Sequence, residues 1–348
     1  MLNIDQLLKH TVDWNASDLI IVADAVPTVR VDGELRPLSE ERLTAADTRR
    51  LIYSLFNTDA QATFEKDYEL DFSYLLPDVG RFRVNVHYQR ETVAAAIRHL
   101  ATVAPRFETL ELPDTIREFA EKRNGLVLVT GPAGSGKSTT LAALINIINT
   151  QRTCHIITIE DPIEYVYTNE NSIIEQREIY TDTHSYADAL KHVLRQSPDV
   201  ILIGEMRDLE TMATAVSAAE TGHLVFATLH TIDACQTVDR IIDSFPAVQQ
   251  NQLRAQLSTS LQGVISQVLL PRSDGTGLVP AVEIMKMTPA ISVSIRQSKT
   301  AQIYSSIQTG KIHGMQTRDQ AIQALVDARI VEYETVLSYV KDATYFRG

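Results

Sequence analysis

Along the first hundred residues, the spacing of apolar positions predicts a small α+β unit. Helical spacing runs over residues 4–12 and 44–56, and short strand-like runs lie between and after them. The predicted strands are residues 19–22, 28–31, 68–75, 81–88 and 92–99, with a turn at Asp32-Gly33. In the fourth of these runs, Phe82, Val84 and Val86 alternate with polar residues, which is typical of a strand with one buried face.

From residue 125 onward, apolar runs alternate with helical patterns, which predicts an α/β domain with a largely parallel core sheet. The predicted strands are residues 126–130, 155–159, 200–203 and 224–228, and the predicted helices include residues 139–149, 186–196 and 209–221. The last sixty residues are mainly helical in pattern, with Pro289 opening one helix and Gly310 and Gly314 separating others. Residues 101–113 show little periodicity and indicate a linker, and residues 114–122 predict a helix after it.

The strand 126–130 leads into a glycine-rich loop that matches the phosphate-binding pattern G-x-x-x-x-G-K-[ST]. The loop reads Gly131-Pro132-Ala133-Gly134-Ser135-Gly136-Lys137-Ser138, and Thr139 follows it. Glycines keep side chains away, so that backbone N–H groups can turn onto phosphate oxygens at the start of the following helix. Lys137 can reach the outer phosphates, and Ser138 can ligate Mg²⁺. The sequence therefore predicts a nucleotide site with ATP and Mg²⁺ as its ligands.

Two predicted strands end in acidic residues, at the edge where open α/β sheets bind ligands. Glu205 follows the strand 200–203 and can hold Mg²⁺ directly or through water. Glu160, Asp161 and Glu164 follow the strand 155–159, and a group of acids there suits a metal–nucleotide site in which one of them orients the attacking water. The structural alternatives are a surface acid after a strand and a solvated acidic turn.

Histidines and arginines supply further candidates. His223 and His230 bracket the strand 224–228 and could sense the γ-phosphate or hydrogen-bond to a neighbouring acid, although a histidine at a strand end is often structural. Arg81 and Arg83 are a suggestive pair, because an arginine can neutralise transition-state charge across a domain or subunit boundary. Single arginines are more often surface residues, and the weaker candidates are Arg98, Arg195, Arg207 and Arg240.

Composition narrows the class of protein. The chain has 348 residues, which suggests about two domains, and its formal net charge of −12 argues against a broad nucleic-acid-binding surface. No run of about 18 apolar residues occurs, and the N-terminus lacks the order of a secretion signal. The two cysteines, Cys154 and Cys235, lie far apart without a C-x-x-C pair, so we expect reduced thiols and no structural zinc site.

Four blocks of the sequence together resemble the ATPases of type II secretion and type IV pilus systems, and among these the pilus retraction motors of the PilT and PilU type. Besides the phosphate loop, residues 158–164 look like the family's aspartate-box, residues 204–208 like its acid-tipped Walker B motif, and residues 221–231 like its histidine-box. Residues 16–19, 80–85 and 314–317 match as well, so the resemblance covers nearly the whole chain.

The resemblance implies a fold and a set of site residues. It implies a PAS-like N-terminal domain, a linker, a RecA-like P-loop ATPase core and a helical C-terminal region, at residues 1–100, 101–113, 114–285 and 286–348. It makes Glu164 the general base and Glu205 the Walker B acid. It also places Lys137, His223 and His230 in the catalytic site, and its use of N-domain arginines against the nucleotide supports Arg81 and Arg83.

The resemblance further implies a homohexameric ring that hydrolyses ATP and deforms as the angle between its domains changes. That motion would act on an inner-membrane platform protein of the PilC type, so that pilin leaves the base of the fibre and the pilus retracts. The expected location is cytoplasmic, at the inner face of the cytoplasmic membrane.

Two features of the sequence bear on which branch of the family it resembles most. Assembly and type II secretion ATPases usually carry an extra N-terminal domain and a four-cysteine zinc motif, whereas this sequence begins directly at the PAS-like unit, which favours the retraction branch. Residues 290–297 read A-I-S-V-S-I-R-Q where the retraction motors read A-I-R-N-L-I-R-E. An accessory PilU-type motor, or a specialised paralogue with a regulatory or scaffolding role beside a related motor subunit, is therefore the alternative.

A nucleic-acid translocase is disfavoured by the acidic charge, and a small-molecule kinase by the lack of a recognisable second substrate pocket.

Overall fold

The computed structural model describes residues 2–31, 33–100 and 103–341, and within them the chain forms two compact units. The first unit takes in the described residues up to Val103 together with Pro162–Val166. The second comprises Ala104–Asp161 and the described residues from Tyr167 onward. Each unit has its own sheet covered by helices, so the predicted α/β fold with a separate N-terminal α+β unit is confirmed.

The first unit is built around an antiparallel sheet in the order β3–β2–β1–β6–β5–β4. Its elements are α1 (Ile4–Asp13), β1 (Asp18–Ile21), β2 (Thr28–Val31), β3 (Glu34–Pro37), α2 (Ala45–Tyr53), α3 (Thr58–Asp67), β4 (Glu69–Leu76), β5 (Gly80–Gln89) and β6 (Thr92–Leu100). The predicted helices and strands are all present, and Thr44 begins α2 with a capping box. Asp32 of the predicted turn lies outside the described residues.

The burial of alternate residues in β5 explains the alternation of apolar and polar residues in its sequence. Phe82, Val84 and Val86 are fully buried in the core of the first unit, whereas Arg81 and Arg83 lie on the other face of the strand. The elements that the pattern did not predict, β3 and α3, bury little: β3 is exposed throughout, and α3 buries only one of its residues. Without a buried face there is no periodic signal to read.

The second unit holds the predicted parallel sheet. Its elements are β7 (Gly125–Thr130), α4 (Lys137–Gln151), β8 (His155–Glu160), β9 (Ile173–Glu178), α5 (Tyr186–Val193), β10 (Val200–Ile203), α6 (Leu209–Glu220), β11 (Leu224–Leu229), α7 (Ala234–Asp243), α8 (Ala247–Ser260), β12 (Leu261–Pro271), β13 (Leu278–Lys286), α9 (Pro289–Arg296), α10 (Ala301–Thr309), α11 (Arg318–Asp327) and α12 (Tyr333–Val336). Short 3-10 turns lie at Phe107–Thr109, Asp114–Phe119 and Lys311–His313.

The strand order of this sheet is β13–β12–β7–β11–β10–β8–β9, with every pairing parallel except that of β12 with β13. Both faces of the central strands are covered. In β10, Ile201 and Ile203 join one hydrophobic core while Val200 and Leu202 join the core on the opposite face. Burial on both faces explains why these strands are continuous apolar runs in the sequence.

The segment predicted as a linker, residues 101–113, is partly packed into the second unit. Residues 101 and 102 lie outside the described residues, but Phe107 and Leu112 are buried in a core of the second unit, at 3% and 8% exposure. The helix predicted after them is a 3-10 turn over Asp114–Phe119. None of the helices in the described part of the chain is both long and apolar enough to cross a bilayer.

Replacing Phe226 with Ala should destabilise the second unit, because this side chain is fully buried on β11 between β7 and β10. Removing an aromatic ring from a packed core costs about 3–5 kcal/mol, measurable as a shift in urea unfolding. Val248→Ala is the control, because that side chain is 89% exposed on α8. Equal stability of the two variants would contradict the assignment of Phe226 to the core.

Candidate functional site

The glycine-rich loop joins the end of β7 to the start of α4, at the carboxyl edge of the parallel sheet. Gly131, Gly134 and Gly136 have φ angles of +144°, +73° and +82°, which side chains other than glycine rarely adopt. A Cβ on Gly131 would also lie 2.2 Å from the carbonyl oxygen of Gln267 on β12. The loop path therefore requires glycine both for its dihedral angles and for the close approach of the neighbouring strand.

Lys137 folds back over this loop. Its Nζ donates hydrogen bonds to the carbonyl oxygens of Gly131 and Pro132, at 2.9 and 2.8 Å. Ser138 and Thr139 follow in the first turn of α4, where backbone N–H groups lack helical partners and the helix dipole is positive. The tip formed by Pro132, Ala133 and Gly134 is exposed, whereas Ser135 is buried. The loop thus surrounds its lysine ammonium with carbonyls and presents a helix start suited to an anion.

Glu205 lies just beyond the end of β10, in a charged cluster at the same edge. Its Oε2 lies 2.8 Å from Nη2 of Arg207, and its Oε1 lies 3.2 Å from Nε2 of His230, the residue that follows β11. Burial opposes ionisation of Glu205, but the hydrogen bond and charge of Arg207, together with His230, outweigh it and lower the pKa of the carboxyl below its ordinary value. Glu205 is therefore ionised at neutral pH.

Backbone contacts hold the turn that carries Glu205. The amide of Gly204 donates to the carbonyl oxygen of Ile159 at 2.8 Å, and Thr228 Oγ1 donates to the carbonyl oxygen of Gly204. The amide of Met206 donates to the carbonyl oxygen of Thr228 at 3.1 Å. These bonds tie the ends of β8, β10 and β11 together. Thr228 was missed in the sequence, although a hydroxyl inside an otherwise apolar strand was a visible signal.

A partly buried tyrosine completes this cluster. A Cβ on Gly204 would lie 2.8 Å from the hydroxyl of Tyr186, so glycine makes room for the phenol. Burial raises the pKa of Tyr186 above its usual range, and the nearby carboxylate of Asp161 adds to that effect. Tyr186 is therefore neutral and can act as a hydrogen-bond donor. Nothing in the local sequence distinguishes it from an ordinary helical tyrosine.

The three predicted acids at the end of β8 have different surroundings. Glu160 Oε1 accepts hydrogen bonds from Thr158 Oγ1 at 2.7 Å and from Gln176 Nε2 at 3.2 Å. Asp161 lies in the field of Arg207 and Tyr186. Glu164 belongs to the segment Pro162–Val166, which groups with the first unit. Glu160 and Asp161 both act electrostatically on Tyr186, as Glu205 does, so the structure brings these two predicted acids into the cluster around Glu205.

His223 is not brought to this site. It precedes β11, and its carbonyl oxygen accepts from the amide of Gly125 at the start of β7, while its Nδ1 contacts the carbonyl oxygen of Ala218 at 3.0 Å. A six-residue strand spans about 20 Å, so histidines that bracket it lie at opposite edges of a parallel sheet. Of the two predicted histidines, His230 is the one that reaches the phosphate-loop edge.

The predicted arginines of the first unit lie on β5. Arg81 Nε donates to Ser73 Oγ at 2.9 Å, and Arg83 Nε lies 3.6 Å from Asp71 Oδ1. Across the strand pairing, Arg83 is opposite Arg98 of β6. The weaker candidate Arg207, in contrast, lies beside Glu205.

A cavity of about 190 Å³ lies beside the phosphate loop. Its walls include Gly136, Thr139 and Thr140 on one side and Gln267 on the other. The remaining lining is largely apolar and includes Leu110, Leu112, Leu269, Leu278 and Pro280. A mostly apolar space next to an anion site suits a ligand that carries both a ring and phosphates.

A buried strand, a phosphate loop, a helix and an ionised acid at the same sheet edge define a P-loop nucleotide-binding protein. The family model for type II/IV secretion system proteins matches residues 3–328. The chain therefore belongs to the type II/IV secretion ATPase family, which confirms the predicted family, nucleotide binding and ATPase activity.

Individual relatives agree with this assignment. A Pseudomonas aeruginosa protein described as "Type IV pilus retractation ATPase PilT" is 44% identical over 340 residues, 98% of each chain. The "Type IV pilus ATPase PilU" of the same organism is 38% identical over 346 residues, 99% of this chain and 91% of that one. The crystal structure of "the Pilus Retraction Motor PilT and Bound ADP" superposes with a TM-score of 0.94 at 47% identity, over 99% of both chains.

Arg207→Gln should raise the pKa of Glu205, because it removes the hydrogen bond and charge that lower it. Glu205 works as a carboxylate, so its contribution to ATP turnover is present above its pKa in the folded protein. That contribution is lost as the pH falls through this pKa. We therefore expect the acid limb of the ATP turnover profile to move to higher pH, measured between about pH 5 and 8. Arg207→Lys keeps the charge and should shift the limb less; superimposable profiles for all three proteins would contradict this coupling.

Proposed function

We propose that this chain is the subunit of a hexameric ATPase motor that hydrolyses ATP to drive pilus retraction, by removing pilin from the fibre base, and so supports twitching motility. The observation that carries the proposal is the site itself: the phosphate loop of residues 131–138 and the ionised Glu205 share one sheet edge. The likeness to a chain described as a pilus retraction motor, over 99% of both chains, supports the direction of the work.

The nucleotide is assigned to the loop and the adjoining cavity. Residues 131–139 bind the phosphates through backbone N–H groups, and Lys137 exchanges its carbonyl partners in the loop for phosphate oxygens. The apolar cavity of about 190 Å³ holds the base. Before ATP binds, the carbonyl oxygens of the loop hold the Lys137 ammonium in place, so that little side-chain entropy is lost on binding.

Mg²⁺ fits the donors at this edge. The ionised carboxylate of Glu205 and the hydroxyl of Ser138 are oxygen ligands of the kind that Mg²⁺ prefers, and Glu205 is the residue assigned to hold it directly or through water. When bound, the metal neutralises charge on the outer phosphates. His230, at 3.2 Å from Glu205, is assigned to link the γ-phosphate position to this acid.

The remaining catalytic roles rest on the family resemblance. Glu164 is the general base that accepts a proton from the attacking water, and Arg81 and Arg83 neutralise charge on the nucleotide. The proposed boundaries of the working parts are residues 1–100 for the PAS-like domain, 114–285 for the ATPase core and 286–348 for the helical region. We do not assign His223 to the phosphates, because it lies at the opposite sheet edge from the loop.

The proposed partners follow from the same family. They are five further copies of this chain, an inner-membrane platform protein of the PilC type at the inner face of the cytoplasmic membrane, and a related motor ATPase. Nucleic acid is not among them, since the chain carries a net charge of −12.

An accessory PilU-type or specialised role is the second candidate, and α9 favours it. Ile291 and Ile295 are fully buried, so this helix packs as the family pattern requires. Ser292 Oγ, however, donates to the carbonyl oxygen of Ser258 at 2.7 Å, and Ser294 Oγ donates to that of Ala290 at 2.9 Å. Position 292, which is an arginine in the retraction motors, is thus bonded internally here, and position 293, which is an asparagine there, is the exposed apolar Val293. Against this candidate, identity to the PilU relative is 38% and to the PilT relative 44%.

Lys137→Ala should lower ATP turnover by about 10²-fold or more, because the ammonium charge on the outer phosphates is lost. Phosphate release from the purified full-length chain measures this directly. Lys122→Ala is the matched control, since Lys122 lies in the same unit but lines a different cavity. Unchanged turnover in Lys137→Ala would remove the phosphate loop from the mechanism.

In the organism, a clean deletion should leave surface pili in excess and abolish twitching, because assembly continues while removal of pilin stops. The Lys137→Ala allele should behave like the deletion, and the wild-type allele should restore both properties. Normal twitching with normal pili would instead indicate the accessory role, and loss of pili would reverse the direction of the motor.

A further inference from the structure

Gln267 of β12 lies against the phosphate loop at two of its glycines. Its carbonyl oxygen would be 2.2 Å from a Cβ on Gly131, and its Nε2 would be 2.7 Å from a Cβ on Gly136. The side chain is 3% exposed and forms part of the wall of the cavity beside the loop. A single residue from a strand that is distant in sequence therefore contacts the first glycine of the loop and the glycine just before its lysine.

The register of β12 brings Gln267 to this position. Thr130 of β7 pairs with Ser266 in the parallel ladder, and the two hydroxyls hydrogen-bond at 2.8 Å. Gln267 follows Ser266, just as Gly131 follows Thr130, so the two chains remain side by side where the loop begins. A buried hydroxyl pair at the last rung fixes this register, because a shift would leave both groups without partners.

One hydrogen bond sets the orientation of the carboxamide. Thr140 Oγ1, at the end of the first turn of α4, donates to Gln267 Oε1 at 2.8 Å, in a buried environment. Since the oxygen is occupied by Thr140, the Nε2 donor faces the other way, toward Gly136 and the cavity. A primary amide has two N–H groups, so this side chain can support the loop and still present a donor to a ligand.

We propose that Gln267 is a further nucleotide-binding residue, which shapes the phosphate loop with its main chain and donates a hydrogen bond from Nε2 to the bound nucleotide. This inference rests on the nucleotide occupying the loop and cavity as proposed above. The donor lies beside Gly136, Thr139 and Thr140, whereas Glu205 lies beyond β11, at the end of β10. Gln267 therefore contributes to nucleotide affinity and not to cleavage of the outer phosphate.

Gln267→Glu tests the donor directly. Glutamate has the same shape and can still accept from Thr140, but it removes the Nε2 donor and places a carboxylate beside the nucleotide. We expect affinity for a fluorescent ADP analogue and for ATP to fall by about ten-fold or more in the full-length chain, as the loss of one hydrogen bond to a charged group implies. At saturating ATP, kcat should stay within about three-fold of wild type, so that the change lies in KM.

Gln262→Glu is the matched control. It makes the same change of charge on the same strand, but at the opposite end, where Gln262 lines a cavity with Phe119 and Lys286. Its nucleotide affinity should remain within about two-fold of wild type. Gln267→Met, which removes the amide without adding charge, should weaken binding by about three-fold or more if the donor matters, and separates the lost hydrogen bond from repulsion.

The outcomes distinguish this inference from the proposed function. If wild type binds no nucleotide, the proposed function fails first. If wild type binds and the folded Gln267→Glu and Gln267→Met proteins bind within two-fold of it, the inference is overturned. If Gln267→Glu does not fold, Thr140→Val replaces it as the test, because it removes the hydrogen bond that orients the carboxamide and leaves Gln267 itself unchanged. Weaker nucleotide binding by Thr140→Val supports the inference. Unchanged nucleotide affinity in both Thr140→Val and Gln267→Met overturns it.

Discussion

Parallel pairing of β7 with β11 on one side and with β12 on the other is the constraint on which the site depends. Because all three strands run in one direction, the residues that follow the ends of β7 and β11 lie beside the part of β12 that continues past them. The phosphate loop follows Thr130 and His230 follows Leu229, while Gln267 follows Ser266, the last residue of β12 that pairs with β7. If β12 ran antiparallel with Ser266 still opposite Thr130, Gln267 would lie beside Val129 and not beside the loop.

The same edge gathers like charges, and the structure balances them locally. Glu205 and Asp161 are acids in a chain that already carries a net charge of −12, and the arginine beside them compensates for their mutual repulsion. Arg207 keeps Glu205 ionised in spite of its burial, and His230 adds to that effect. The site therefore offers carboxylates to a cation beside a loop suited to an anion. This charge arrangement matches that of a metal–nucleotide complex.

Family membership and the local structure answer different questions. The matching relatives establish the family and its ATPase activity, and the close likeness to a retraction motor supports the proposed direction of work. The contacts of α9 concern this chain alone: its serines bond internally, while its isoleucines pack as the family pattern requires. A helix can thus keep its place in the fold while its polar side chains change, and this difference is the observation behind the second candidate function.

The sequence by itself determined the local features. The alternation in β5, the buried runs of the central strands and the phosphate loop could all be predicted, because each depends on residues adjacent in the chain. It did not predict β12, since α8 runs into this strand without a turn residue and polar Ser266 and Gln267 interrupt its apolar pattern. Only the tertiary structure brought His230 to Glu205 and Gln267 to the loop. Those outcomes depend on the pairing and register of strands far apart in sequence, which no local period encodes.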